Sequence, residues 1–91
     1  GFNTGDTVAF DVNGTRYTAT SSDGNLDTLI TEIATASGGA ATAIRVDATN
    51  TVDPTGTFIR ITATNTGQDV TAVTFTVTVP VSLAPLPSET V

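Results

Sequence analysis

The chain of 91 residues carries nine acidic side chains against three arginines, a net charge of −6, and it has no Cys, His or Lys. Such an acidic body disfavours nucleic acid and anionic membrane surfaces as partners, and no stretch approaches the roughly 20 apolar residues of a membrane helix. The missing residue types remove disulfides, thiolate sites and the usual general bases, so the composition predicts a non-enzymatic protein with one core.

The first predicted unit is a β-hairpin over residues 8–20. Residues 8–12 and 15–20 alternate in polarity, and Asn13-Gly14 between them favours a type I′ turn. The two-residue loop sets the register: Val12 opposite Thr15, Asp11 opposite Arg16, Phe10 opposite Tyr17, and Val8 opposite Ala19. One face then carries Val8, Phe10, Tyr17 and Ala19 towards the core. The other face pairs Asp11 with Arg16 across the strands.

An amphipathic helix is predicted next. Its apolar stripe, at helical spacing, consists of Leu26, Leu29, Ile30, Ile33 and Ala34. Asn25 or Asp23 can cap its N-terminus, Asp27 suits the positive end of the helix dipole, and Ser37-Gly38-Gly39 ends it. About three turns are too short to be stable alone, so the stripe must pack on a sheet.

Three further strands complete the predicted order. Residues 43–48 alternate with Ile44, Val46 and Ala48 inward, and residues 57–63 alternate with Ile59, Ile61 and Ala63 inward. Asp53-Pro54-Thr55-Gly56 between them is typical of a type I turn. Residues 73–79 form the last strand. Phe58 falls on the face opposite Ile59, where it is exposed or meets a neighbouring subunit or domain.

The pattern therefore predicts an α+β fold, ββαβββ, with a mostly antiparallel sheet and one amphipathic helix packed on one face. A β-sandwich with a short helix is the alternative. Residues 1–79 form a single module, and residues 80–91 form a Pro-rich extended arm or linker.

The chain resembles a repeat module of flagellins and flagellar capping proteins, and of phage tail and other virion proteins. The resemblance covers roughly residues 5–79 and lies in Gly5-Asp6-Thr7 before Phe10, the hairpin Val12-Asn13-Gly14-Thr15-Arg16-Tyr17-Thr18, the helix start Leu26-Asp27-Thr28-Leu29, and Ile61-Thr62-Ala63-Thr64-Asn65-Thr66-Gly67. Thr35-Ala36-Ser37 replaces the Ile-Asn pair frequent in such modules, which favours the virion over the flagellar assignment.

This resemblance implies a structural subunit or domain of an extracellular assembly, located on a virion, a filament or a cell surface. Its expected partners are copies of itself or neighbouring structural subunits. The alternative is a repeat or spacer module of a large bacterial surface adhesin, which leaves open weak Ca²⁺ or glycan binding. Glycan binding usually needs exposed aromatic side chains, and the chain has only Tyr17 and four Phe.

Two groups of acids are candidates for weak Ca²⁺ binding, although no cofactor is expected. Asp23-Gly24-Asn25-Leu26-Asp27 is spaced like the start of a calcium loop, but the position of the bidentate acid is Ala34. A helix N-cap explains the same residues. The second group, of loop acids, consists of Asp6, Asp47, Asp53 and Asp69, for which a solubilising role is the simpler explanation.

The candidate contact residues are apolar groups outside the core pattern: Phe2, Phe58, Val81, Leu83 and Leu86. The arginines are expected on outer strand faces. No paired inward carboxylates of the kind a glycosidase needs are predicted, so no catalytic residue is assigned.

Overall fold

The computed structural model describes residues 3–76. Its elements are β1 (Thr7–Val12), β2 (Thr15–Thr20), α1 (Leu26–Ala36), β3 (Ala41–Val46), β4 (Phe58–Ala63) and β5 (Val70–Thr76). The predicted α+β class and the ββαβββ order are confirmed. Residues 77–79 of the last predicted strand and the predicted arm 80–91 lie outside the described residues.

The five strands are divided between two antiparallel sheets, a division that the linear pattern did not predict. One sheet has the order β2-β1-β5, and the other pairs β3 with β4. Helix α1 packs against both β2 and β3. The helix therefore joins the two sheets instead of covering one face of a continuous sheet.

The first hairpin has the predicted register at every pair, from Val12 with Thr15 to Val8 with Ala19. Asn13 and Gly14 have φ values of 49° and 84°, as a type I′ turn requires. The ring of Phe10 lies 6.0 Å from that of its cross-strand partner Tyr17, centroid to centroid. The turn thus sets which side chains reach the core.

The helix begins and ends at the predicted residues. The side chain of Asn25 accepts a hydrogen bond from the backbone N–H of Asp27, which caps the N-terminus. At the other end the N–H of Gly39 donates to the carbonyl of Ala34, and that of Gly38 to Thr35. This pair of bonds is a Schellman motif, and the φ of 61° at Gly38 explains why glycine follows the helix.

A single apolar cluster draws on both sheets and on the helix. Its buried members are Val8, Phe10, Val12, Ala19, Leu29, Ile33, Ala41, Ile59, Ile61 and Val70. Partly buried side chains that pack against it include Tyr17, Leu26, Ile30, Ala43, Ala63, Val73 and Phe75. The inward assignment of Ile59, Ile61 and Ala63 is confirmed.

Ile44 and Val46, predicted to face the core from the third strand, lie on its opposite face, so this prediction is wrong. Ala41 and Ala43 face the core, whereas Ile44 is 42% exposed and Ala48 lies exposed beyond the strand end. Small side chains on the inner face let the helix approach β3 closely, a constraint that hydrophobicity alone does not reveal. Val46 is buried as predicted, but on the outer face of the sheet.

Strand β5 starts earlier than predicted and contains a β-bulge. Asp11 pairs with Thr71 and Ala9 with Thr74, so one extra residue of β5 lies opposite β1. Ala72 within the bulge has a φ of 53°. The guanidinium of Arg16 donates to the carbonyl oxygen of Ala72 at 2.8 Å and forms the predicted ion pair with Asp11 at 3.1 Å.

Replacing Gly56 by Ala is expected to destabilise the fold by more than about 2 kcal/mol. A Cβ at this buried position would overlap the carbonyl oxygen of Val46, a backbone atom that cannot rotate away. Chemical denaturation measures the free energy of unfolding. Gly67→Ala is the matched control: its φ of 84° strains an alanine, but nothing lies within 4 Å, so a cost of about 1 kcal/mol is expected. Equal costs would contradict the overlap.

Replacing Ala72 by Gly is expected to stabilise the protein by about 0.5 kcal/mol. Relief of the left-handed conformation gains about 1–2 kcal/mol, which exceeds the roughly 0.4–1 kcal/mol lost to the greater freedom of glycine in the unfolded chain. Ala9 lies in β1 and does not have a positive φ, so the free energy of unfolding of Ala9→Gly should instead fall by about 0.5–1 kcal/mol. A loss of stability in Ala72→Gly would show that the bulge is not strained.

Candidate functional site

The outer face of the β3–β4 sheet, turned away from the core, is apolar at one end. Val46 pairs with Phe58 on β4 and, through an isolated bridge, with Val52 in the connecting loop. Cross-strand partners project to the same face, so the three side chains form one row with Val46 in the middle. This arrangement explains why Val46 is fully buried although it faces outward.

Ile44 extends this row along β3. It lies two residues from Val46 on the same face and is 42% exposed, while Val52 is 51% exposed and Phe58 is partly exposed. Within residues 3–76, Ile44 and Val52 are the large hydrophobic residues that remain exposed. We name Ile44, Val52 and Phe58, grouped around Val46, the outer patch.

A positive charge lies beside the outer patch. Arg60 is the cross-strand partner of Ile44 and shares its face. Its guanidinium donates to the carbonyl oxygen of Asn50 at 3.1 Å, which ties the loop to β4. The acceptor is a neutral carbonyl, so the charge of Arg60 is not neutralised by this bond.

The predicted contact residues have different outcomes. Phe58 lies on the face opposite Ile59, as the alternation predicts, but its contact role stays a prediction. Phe2, Val81, Leu83 and Leu86 lie outside the described residues. Two residues of the outer patch were not predicted from the sequence. Ile44 was assigned to the inner face of β3, and Val52 is an isolated valine in a loop, which gives no periodic signal.

The acids of residues 23–27, the first candidate for weak Ca²⁺ binding, form hydrogen bonds at the helix N-terminus. One carboxylate oxygen of Asp23 accepts from the backbone N–H of Asn25 at 2.9 Å, and the other accepts from the Thr28 hydroxyl at 2.9 Å. With the Asn25 cap, these bonds account for the spacing that resembles a calcium loop.

The loop acids are separated and mostly engaged in local turns. Asp53 accepts from the N–H and the hydroxyl of Thr55, and the N–H of Gly56 donates to the Asp53 carbonyl in the predicted turn. Asp69 is exposed. Over residues 3–76, no group of three or more His, Cys, Asp or Glu side chains is placed to hold a metal ion.

The expectation that Asp6 is a solubilising acid is wrong. Asp6 is fully buried, and its carboxylate accepts from the N–H of Asn3 at 2.8 Å. Its backbone carbonyl also accepts from the N–H of Ser21, beside the start of β1. A buried carboxylate in a tight turn orders the chain that leads into the first strand.

The expectation that all arginines lie on outer faces is wrong for Arg45. Arg45 alternates with the outward Ile44 and Val46 and so projects towards the helix side of β3. Its Nε donates to the Gly56 carbonyl at 2.8 Å, and a terminal nitrogen lies 3.4 Å from the carboxylate of Asp27. Arg45 therefore connects the helix start to the turn that supports the outer patch.

None of the described helices is long and apolar enough to cross a membrane. Comparisons with family models, with curated proteins and with solved structures found no match to this chain.

Protonation of Asp47 is expected to loosen the loop over residues 47–53. Hydrogen bonds from the Thr49 hydroxyl, the Thr51 N–H and the Thr49 N–H hold the pKa of Asp47 below its ordinary value of 3.8. Because the folded pKa is the lower one, this stabilisation is present above pH 3.8 and is lost as the pH falls through the folded pKa. NMR shifts of the Thr49 and Thr51 amides should report the change.

Asp47→Asn should remove this acid transition from the two amides, whereas Asp69→Asn, at an exposed acid, should leave it in place. Amide shifts of Thr49 and Thr51 that do not respond to acid in the native chain would contradict the role of Asp47.

Proposed function

We propose that the chain is a non-enzymatic structural module of an extracellular assembly, a virion, phage tail or flagellum-like filament, and that it meets neighbouring subunits or domains through the outer patch. The observation that carries the proposal is that Ile44 and Val52, the large hydrophobic residues that remain exposed within residues 3–76, are grouped beside Phe58. A grouped apolar surface is typical of interaction sites, whereas single exposed apolar residues are ordinary.

The outer face of the other sheet provides the contrast. It carries Thr7, Thr18, Thr20, Thr74 and Thr76, with the Asp11–Arg16 ion pair at one end. Threonine has a high β propensity, and its hydroxyl forms hydrogen bonds with water. This face is therefore compatible with exposure to solvent. Both are outer faces of antiparallel sheets, but the first is polar and the second is apolar at one end, which supports an interface role for the apolar end.

The loop beside the outer patch is held by several bonds, and this supports a preformed contact surface. Asp47 accepts three hydrogen bonds within its own turn. The guanidinium of Arg60 donates to the Asn50 carbonyl, and that of Arg45 donates to the Gly56 carbonyl. A surface that is already ordered loses less conformational entropy when it binds a neighbour. The resemblance to flagellar and virion modules agrees with this role.

The test is to recover the native polypeptide from its source with antibodies raised against the chain, and to measure its sedimentation and its intact mass. Co-sedimentation with a particle or filament is expected, and a freely sedimenting monomer would overturn the proposal. The mass then separates two forms of the assembly. About 9.2 kDa indicates a small subunit, and a far larger mass indicates a module of a longer structural protein. Recovery of the polypeptide only in an unpolymerised surface adhesin would favour the spacer alternative.

A further inference from the structure

We propose that the outer patch is the docking site for residues 81–86 of a neighbouring copy of this chain. This inference rests on the proposed function and names the partner of its interface. The segment contains Val81, Leu83 and Leu86, apolar residues outside the core pattern that the sequence predicts, and residues 77–91 contain a single charged side chain, Glu89. An apolar segment of this kind is the chemical complement of an exposed apolar row.

The position at which the chain leaves the described body supports this choice. Thr7 pairs with both Thr20 and Thr76, so all three residues lie at one end of the first sheet. The helix begins at Leu26, only a short loop after Thr20. The N-terminus of the helix and Thr76 therefore lie at the same end of the molecule.

The outer patch lies at this end as well. Arg45 is within 3.4 Å of Asp27 in the first turn of the helix, and Val46 follows Arg45 directly. Val46 and its partner Phe58 are thus at the end of the second sheet that is next to the helix start. Thr76, the last described residue, therefore lies at the end of the body that carries the outer patch.

The length and composition of the segment favour a neighbouring copy as the donor. The ten residues that follow Thr76, 77–86, span at most about 33–36 Å, far enough to reach an adjoining body. Pro80 and Pro85 restrict φ and favour an extended chain over an immediate reversal onto the same molecule.

The charge beside the patch discriminates between two forms of self-association. If two outer patches met face to face about a two-fold axis, the interface would contain Arg60 from both copies and no acidic side chain of the patch to offset the two charges, which opposes contact. A docked segment that carries Glu89 shortly after its apolar residues instead supplies the opposite charge. The chemistry of the patch therefore favours a segment over a second patch.

The test is sedimentation velocity of the full chain at increasing concentration, with variants of each partner. Self-association is expected for the native chain. The arm variant Leu83→Asp with Leu86→Asp, and the patch variant Ile44→Thr with Val52→Thr, should each weaken it by about tenfold or more, because each removes buried apolar area. The patch substitutions are at exposed positions, and circular dichroism should show the native fold.

Two controls accompany these variants. Thr90→Ala changes the arm outside residues 81–86 without adding a charge, and Thr18→Val changes the threonine face, so both should leave association unchanged. A charge exchange tests orientation: Arg60→Glu should weaken association, and Arg60→Glu with Glu89→Arg should restore it. A synthetic peptide of residues 80–91, added to the native chain, should compete with the arm and lower the sedimentation coefficient.

Each contrary result overturns the inference in a recognisable way. If the patch variant abolishes association but the arm variant does not, the docking segment is wrong and the proposed function stands. If the native chain is monomeric at every concentration, no neighbouring copy donates the segment, and the proposed function is decided separately by the sedimentation of the native polypeptide. Association that neither variant changes excludes the outer patch.

Discussion

The packing of one short helix between two small sheets is the constraint on which the rest of this structure depends. Leu29 and Ile33 are fully buried, and they contact apolar residues of both sheets within a single cluster. Neither a two-stranded sheet nor an isolated helix of eleven residues is stable in water alone. The two sheets are held together because both bury their inner faces against the same helix and against each other.

This arrangement decides where the unusual surface of the protein lies. The inner face of the β3–β4 sheet is occupied by the core, so its outer face has no covering element among residues 3–76. Val46 is protected by Val52 and Phe58 on either side. The turn through Gly56, bonded to Arg45, keeps the loop next to β3, and the ion pair with Asp27 links it to the helix. These two contacts of Arg45 therefore connect the loop beside the outer patch to the helix that packs in the core.

The polar network at the other sheet has a different effect. Arg16 bonds to Asp11, to the Ala72 carbonyl and to the Thr74 hydroxyl, so one side chain joins all three strands across the bulge. These groups are exposed, so the bonds add little stability, but they hold the irregular part of β5 in one register. The result is an ordered, hydroxyl-rich face that stays compatible with water.

Local chemistry determined much of the chain by itself. Asn13-Gly14 specified the first hairpin and its register, because few residues accept positive φ, and Asn25 with Gly38 set the helix ends through backbone hydrogen bonds. The alternation of Ile59, Ile61 and Ala63 gave the correct inner face. These signals act over a few residues and do not depend on distant parts of the chain. Only the tertiary structure decided the division into two sheets, the burial of Asp6, the inward side of Arg45 and the exposure of Ile44. The physical reason is that close approach of the helix requires small residues at Ala41 and Ala43, and this long-range packing outweighs the preference of the larger Ile44 for the core.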